Sequence, residues 1–175
     1  GDNDYEKQLR LQQTIDGLLS PEADRGMALS EYDGRQAGQD NGPDFATVAD
    51  DLATLPFLAE RRIVVIRSAD RFISAYRERL ERLAAAPPPA GTLILECRSF
   101  PANTRRHKAV AAVGQVLKCE KLRPAAVQAF VEEQVRARGK RIEPAAAGRV
   151  ASLVGQDAGM LAMEAEKLCL YVGER

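Results

Sequence analysis

Tryptophan is missing from the sequence, histidine occurs once, at position 107, and aromatic residues make up only 5% of the chain. A core must therefore be built from Leu, Ile, Val and Ala, and a hydrophobic share of 45% supplies enough of them. One histidine is too little for a His-based metal centre or a His-centred triad, and no carboxylate stands near His107 in sequence to orient it. The cysteines Cys97, Cys119 and Cys169 are odd in number and far apart, with no CxxC pair. They read as reduced, mostly buried thiols rather than a disulfide frame or a zinc site. Excess charge is missing too: Lys plus Arg and Asp plus Glu both total 25. A protein that grips DNA by itself carries a basic excess, because phosphate neutralisation supplies most of the affinity. The balance argues against autonomous DNA binding. No apolar run approaches the ~20 residues that a membrane span needs, and no signal peptide is legible. A cytoplasmic location is expected, with no membrane partner and no cofactor.

What is present is an alternation of strand and helix patterns. Positions 5–19 carry Leu11, Ile15, Leu18 and Leu19 at helical spacing, with Asp2, Asn3 or Asp4 available as the N-cap and Ser20-Pro21 as the stop. Residues 27–32 read as a short strand, followed by a Gly/Asn/Asp/Pro-rich loop over 33–43. Phe45, Val48, Ala49 and Leu52 form a second amphipathic helix that Asp44 can cap. Ile63, Val64, Val65 and Ile66, bounded by Arg62 and Arg67, mark a strand buried on both faces, as in a parallel sheet. Phe72, Ile73, Tyr76, Leu80 and Leu83 make one helical stripe that Pro87 breaks. Residues 92–97 and 115–119 read as further strands around a helix at 104–112. Beyond Leu122 only helices are expected: one from Pro124 ending at Arg138-Gly139-Lys140, one from Pro144 ending at Gly155, and a last one ending at Gly173. The expected fold is α/β, a parallel-sheet domain over 1–122 followed by a three-helix domain over 123–175.

That layout is the one of AAA+ ATPase modules, so a nucleotide site is the first chemistry to test. A P-loop needs G-x-x-x-x-G-K-[ST], and nothing fits it. Gly1-Asp2-Asn3-Asp4 stands before the first helix and offers carboxylates where phosphate would be repelled. Gly139-Lys140 follows no strand and reads as a helix C-cap. After the 63–66 strand comes Arg67-Ser68-Ala69-Asp70 rather than an Asp-Glu pair, and Asp70 reads as a helix cap. No Arg lies between Arg149 and Arg175 to reach a γ-phosphate from the last helix. Three parts of an ATP site are missing together, so neither nucleotide-binding, catalytic nor metal-ligating residues are expected.

The connection Leu55-Pro56-Phe57-Leu58, between the 45–53 helix and the 62–67 strand, presents three large apolar side chains around a proline where a short connection is usually polar. Two readings fit. Leu55 and Leu58 tuck under the domain as core, or the segment protrudes as a hydrophobic plug for a partner's pocket, rimmed by Ala59-Glu60-Arg61-Arg62. Arg77, Arg79 and Arg82 interleave with Glu78 and Glu81 as a solvated face with internal ion pairs. Arg105, Arg106 and Lys108 form the densest basic run; they are candidate phosphate contacts, set against a solvated helix start. Arg136, Arg138, Lys140 and Arg141 form a second basic loop of the same kind.

The segments Gly1-Asp2-Asn3-Asp4-Tyr5, 55–71 (LPFLAERRIVVIRSADR), Gly155-Gln156-Asp157 and 161–173 together make the chain resemble the delta subunit of the bacterial DNA polymerase III clamp loader. The resemblance implies an AAA+-like domain and a helical lid, with the C-terminal collar domain and the first strand expected to lie outside this sequence. It implies a non-catalytic subunit of the DNA-directed DNA polymerase complex that binds and opens the sliding clamp (the beta subunit). The other loader subunits, gamma/tau and delta prime, would assemble through the collar, with primer-template DNA met only in the assembled loader. Carried over, Phe57 and Leu58 are the anchors in the clamp groove, Leu55 an auxiliary apolar residue and Pro56 the stiffener. Leu52, rather than Gln, stands three residues before Leu55, which departs from some clamp-binding peptides. The rival readings are an ATP-dependent AAA+ ATPase with its P-loop upstream of Gly1, and a DNA-binding module using Arg105, Arg106 and Lys108.

Overall fold

The structure is a computed structural model, and it describes residues 1–40, 42–54 and 60–173. It divides into two compact units: Arg10–Lys118, and Gly1–Leu9 together with Cys119–Arg175. Residues 4–9 of the first helix, α1 (Asp4–Leu18), thus belong to one unit and residues 10–18 to the other.

The unit over 10–118 is organised by one strand. β2 (Arg62–Arg67) lies between β1 (Leu29–Asp33) and β3 (Gly91–Leu95), both parallel to it. Leu29 stands opposite Ile63 on one edge, and Ile63 opposite Thr92 on the other. Ile63, Val64, Val65 and Ile66 are all 0% exposed. Side chains alternate across a strand, so the four divide between two cores. Ile63 and Val65 join Leu11 and Ile15 of α1 with Leu19 and Ala28. Val64 and Ile66 join Val48 and Leu52 of α3 (Phe45–Ala53), Phe72 and Ile73 of α4 (Asp70–Ala75) and Leu80 of α5 (Arg77–Ala85). At Gly91 an added Cβ would stand 2.5 Å from the Leu52 carbonyl oxygen, so only glycine lets α3 end this close to β3.

Several expectations shift. Residues 25–28 form one helical turn, α2 (Arg25–Ala28), because the Asp24 carboxylate accepts the Gly26 N–H at 2.8 Å, and the strand starts only at Leu29. The 72–83 stripe is two helices, broken at Tyr76, whose ring lies against Phe72 at 4.9 Å and Phe45 at 6.0 Å between centroids. Asp70 caps no helix with its side chain; its carboxylate accepts the backbone N–H groups of Arg98 at 3.1 Å and Ser99 at 3.2 Å and so ties down the turn after β3. β3 covers 91–95, not 92–97. Residues 115–119 form no strand. A strand needs a ladder, and among the described residues this segment has none; the Cys119 carbonyl instead accepts the Asn3 N–H at 3.3 Å, inside the other unit. α6 (Arg105–Val113) is capped by Thr104, as its position before the basic run suggests.

In the second unit α7 (Pro124–Ala137), α8 (Pro144–Val154) and α9 (Ala158–Val172) enclose Val127, Val131, Ala147 and Leu161. The prolines sit in first turns, and Gly155, at φ 85°, ends α8 in a conformation that disfavours other residues. Tyr5 packs edge-on against Phe130 at 6.1 Å and donates its hydroxyl to Gln134 at 3.3 Å.

The central strand sets a prediction. Ile66→Ala should cost about 3 kcal/mol, the usual range for emptying a filled core site, whereas Leu153→Ala, at a side chain 79% exposed, should cost less than about 0.5 kcal/mol. Urea unfolding of the two variants measures both; equal midpoints would refute the central role of β2.

Candidate functional site

The sequence-derived anchors Leu55, Pro56, Phe57 and Leu58 lie outside the described residues. The residues that precede and follow them are defined. α3 ends at Ala53 with Thr54 as its cap, the Thr54 hydroxyl donating to the Asp50 carbonyl at 2.8 Å. Beyond the 55–59 segment, Arg62 opens β2. Its guanidinium donates from Nε to Asp51 Oδ1 at 2.9 Å and from Nη2 to Ser30 Oγ at 2.7 Å, with further hydrogen bonds to Asp51 and to the Met27 carbonyl. Tyr32 donates its hydroxyl to the other Asp51 oxygen at 3.0 Å. One arginine and one aspartate thus join α3, β1 and β2 on either side of the 55–58 segment. Sequence reasoning placed Arg62 in a polar rim. It is instead half-buried and committed to this network, which leaves Glu60 and Arg61 exposed. Nothing in the spacing of Ser30, Tyr32, Asp51 and Arg62 announced it, since the partners come from three elements.

The opposite end of the sheet is where ligands bind in open parallel sheets, outside the carboxyl ends of the strands. Here Arg67 spans that end, donating to Glu31 and to Glu96 at 3.1 Å each. Ser68 follows with φ 49°, a strained value for a non-glycine residue, held by the Ala69 N–H donated to the Glu96 carbonyl at 2.6 Å and by the Asp70 contacts. The carboxylates at this edge are therefore engaged by protein donors. Among the described residues no group of three His, Cys, Asp or Glu side chains is placed to hold a metal ion.

Before α1, Asn3 is buried, 7% exposed. Its amide donates to the Glu120 carbonyl at 3.2 Å and its Oδ1 accepts the Glu6 N–H at 3.1 Å, which makes it the N-cap. Lys7 pairs with Asp4 at 2.7 Å. A helix start can hold phosphate when its N–H groups point at open space; this one is capped by its own side chain.

The basic runs differ in their engagement. Arg105 and Lys108 are exposed and Arg106 half-buried on the first turn of α6, and among the described residues none of the three has an ion pair. His107 between them lies against the Phe100 ring at 5.5 Å. Arg138 reaches Gln134 and, at 3.5 Å, Glu166, and Lys140 bonds the Gly173 carbonyl. The internal ion pairs expected along α5 do not form among the described residues: Arg82 donates to the Glu78 backbone carbonyl at 3.4 Å, and Arg79 stands 5.7 Å over the Phe45 ring. The cysteines form no disulfide among the described residues; Cys119 is buried and the other two half-buried. No described helix is long and apolar enough to cross a membrane.

A three-stranded parallel α/β sheet unit and a three-helix unit make up the described chain, whose fold class is α/β. No family model matches the sequence, and no curated protein does. Among solved structures the chain is similar to the Bacillus subtilis DNA clamp loader delta protein (YqeN), with a TM-score of 0.68 and 20% identity over 97% of this chain and 52% of that one. The likeness is one of fold, and the chain spans about half the length of that protein.

The Asp51 network generates a pH-dependent prediction. Burial pushes the Asp51 carboxyl up, but hydrogen bonds from Arg62, Ser30 and Tyr32, with the Arg62 charge, outweigh it and hold the group below its ordinary value. Burial, then the hydrogen bond to Asp51, raises Tyr32. With the folded-state value of Asp51 depressed, the pair's contribution is complete above about pH 4 and is lost as pH falls through that lower value. Asp51→Asn should therefore be less stable than the native chain by about 2 kcal/mol near neutral pH, as for a partly buried pair. The gap should narrow at about pH 3. Urea midpoints at the two pH values test it; a gap that does not narrow removes the ionised pair as its source.

Proposed function

We propose that this chain is the AAA+-like and lid part of a clamp-loader delta subunit, which binds the sliding clamp and favours its open form without hydrolysing ATP. The observation that carries the reading is the fold likeness to a clamp loader delta protein along 97% of the chain, joined to the apolar Leu55-Pro56-Phe57-Leu58 between α3 and β2. On this reading Phe57 and Leu58 anchor in a groove of the clamp's beta subunit, with Leu55 beside them and Pro56 limiting the segment's freedom. Two buried apolar anchors contribute about 1.5–3 kcal/mol each. A clamp that binds the segment better when open is shifted towards opening by that difference in affinity alone.

Three features support the absence of ATP chemistry. The sequence holds no G-x-x-x-x-G-K-[ST] motif, the first turn of α1 is capped by Asn3, and the carboxylates of Glu31, Glu96 and Asp70 are engaged by protein donors where a phosphate-metal site would need them free. The partners in this proposal are the clamp, the gamma/tau and delta prime subunits through a collar domain, and primer-template DNA within the assembled loader. Arg105, Arg106 and Lys108 would meet DNA only there.

The double variant Phe57→Ala, Leu58→Ala should lose clamp binding by at least about a hundredfold in surface plasmon resonance, the sum of two anchors, with its unfolding midpoint unchanged. Native-like binding by this variant would sink the plug assignment. Calorimetric titration of the full-length protein with Mg-ATP should give no binding heat; micromolar affinity would favour the ATPase reading.

A further inference from the structure

An open groove of about 580 Å³ lies between the start of α3 and α5, lined by Phe45, Ala46, Arg79, Arg82 and Leu83. Its floor is apolar: Phe45 and Leu83 pack on the core that holds Val64 and Phe72, and Phe45 stacks on Phe72 at 6.5 Å between centroids. Its rim is cationic. Arg79 stands over the face of Phe45, and Arg82 uses Nε on the Glu78 backbone carbonyl at 3.4 Å. A second hollow, lined by residues 74–79 and Arg82, shares both arginines, so they form the ridge between an apolar and a polar recess.

Two other guanidinium groups of this unit, Arg62 and Arg67, are satisfied by carboxylates. Arg79 and Arg82 have no ion pair among the described residues, although Glu78 and Glu81 are on the same helix. Asp44, the exposed N-cap of α3, accepts the Thr47 N–H at 2.7 Å; that bond first, and the Arg79 charge in smaller part, hold its carboxyl below the usual range, so Arg79 feels one carboxylate without forming an ion pair with it. Arginines over an aromatic floor recognise planar anions by paired N–H donors, and the floor accepts an apolar side chain. The complementary ligand carries a carboxylate beside an aromatic or leucine side chain.

We propose that this groove docks a short acidic peptide segment of a partner protein, with an Asp or Glu on Arg79 and Arg82 and an adjacent apolar side chain on Phe45 and Leu83. Charge complementarity selects this occupant over single-stranded nucleic acid. A phosphate backbone needs a continuous basic track, whereas here Glu78 and Glu81 interrupt the arginines and the net charge of the chain is zero. The inference is independent of the clamp reading, because it uses none of residues 55–58.

The test is fluorescence anisotropy of the full-length protein with the labelled peptide DDEFLD, its amide counterpart NNQFLN and an oligothymidylate of about ten nucleotides, enough to cover one small single-strand site. DDEFLD should bind at least about tenfold more tightly than NNQFLN, the scale of one charge-assisted contact. The double variant Arg79→Ala, Arg82→Ala should lose that preference while keeping its circular dichroism and unfolding midpoint. Because those arginines also shield Phe45, Arg79→Lys with Arg82→Lys serves as the second variant. It keeps the charge, loses the paired donors, and should retain only part of the preference. Equal affinity for the two peptides overturns the proposal. So does an unchanged preference in the double alanine variant, and so does tighter binding of the oligothymidylate that depends on the same arginines.

Discussion

β2 is bonded along both edges and covered on both faces, and the rest of the larger unit follows from that position. A strand with Ile63 and Val65 on one side and Val64 and Ile66 on the other must be sandwiched, because either face left open would expose branched aliphatic surface to water. One face takes residues of α1, the other α3 to α5. The parallel neighbours then require helical crossovers, and those crossovers supply the cover of one face, while α1, which precedes β1, supplies the other. The same requirement reaches Gly91, where a side chain would strike the end of α3.

The two arginines that bound this strand are used in opposite ways. Arg62, at its start, ties β1, β2 and α3 together through Asp51, Ser30 and the Met27 carbonyl. Arg67, at its end, ties β1 and β2 to Glu96, just after β3, across the edge where ligands bind in open parallel sheets. The first places rigid elements on either side of an apolar connection. The second fills what would be a ligand edge with protein contacts. The proposed function draws on both: an apolar connection held between fixed elements, and a sheet edge filled by protein contacts.

Of the fold, the strongly patterned parts were legible. The span of β2, the Asp44 cap of α3, the prolines at the first turns of α7 and α8 and the glycines closing α8 and α9 all follow from local chemistry. The misreadings share a cause. Residues 115–119 have strand composition, but a strand exists only where another backbone pairs with it. The stripe from Phe72 to Leu83 has helical spacing throughout, yet Tyr76 breaks it where its ring meets Phe45, a residue far back in the chain. Asp70 has the look of a cap because its value depends on the N–H groups of Arg98 and Ser99, which sequence distance hides.

Of the candidate sites, Leu55-Pro56-Phe57-Leu58 was legible because it violates a local rule, an apolar connection where a polar one is usual; its anchors are read from sequence alone. The Arg62–Asp51 network and the Phe45–Arg79–Arg82 groove were invisible there, since each joins elements whose proximity is created by burying β2. The amino-acid sequence alone determined which segments are apolar on one face or two, where helices begin and end, and that no phosphate-binding loop is present. Only the tertiary structure decided which charges form ion pairs among the described residues and which do not, because ion pairing depends on distances across elements, and those distances are set by core packing.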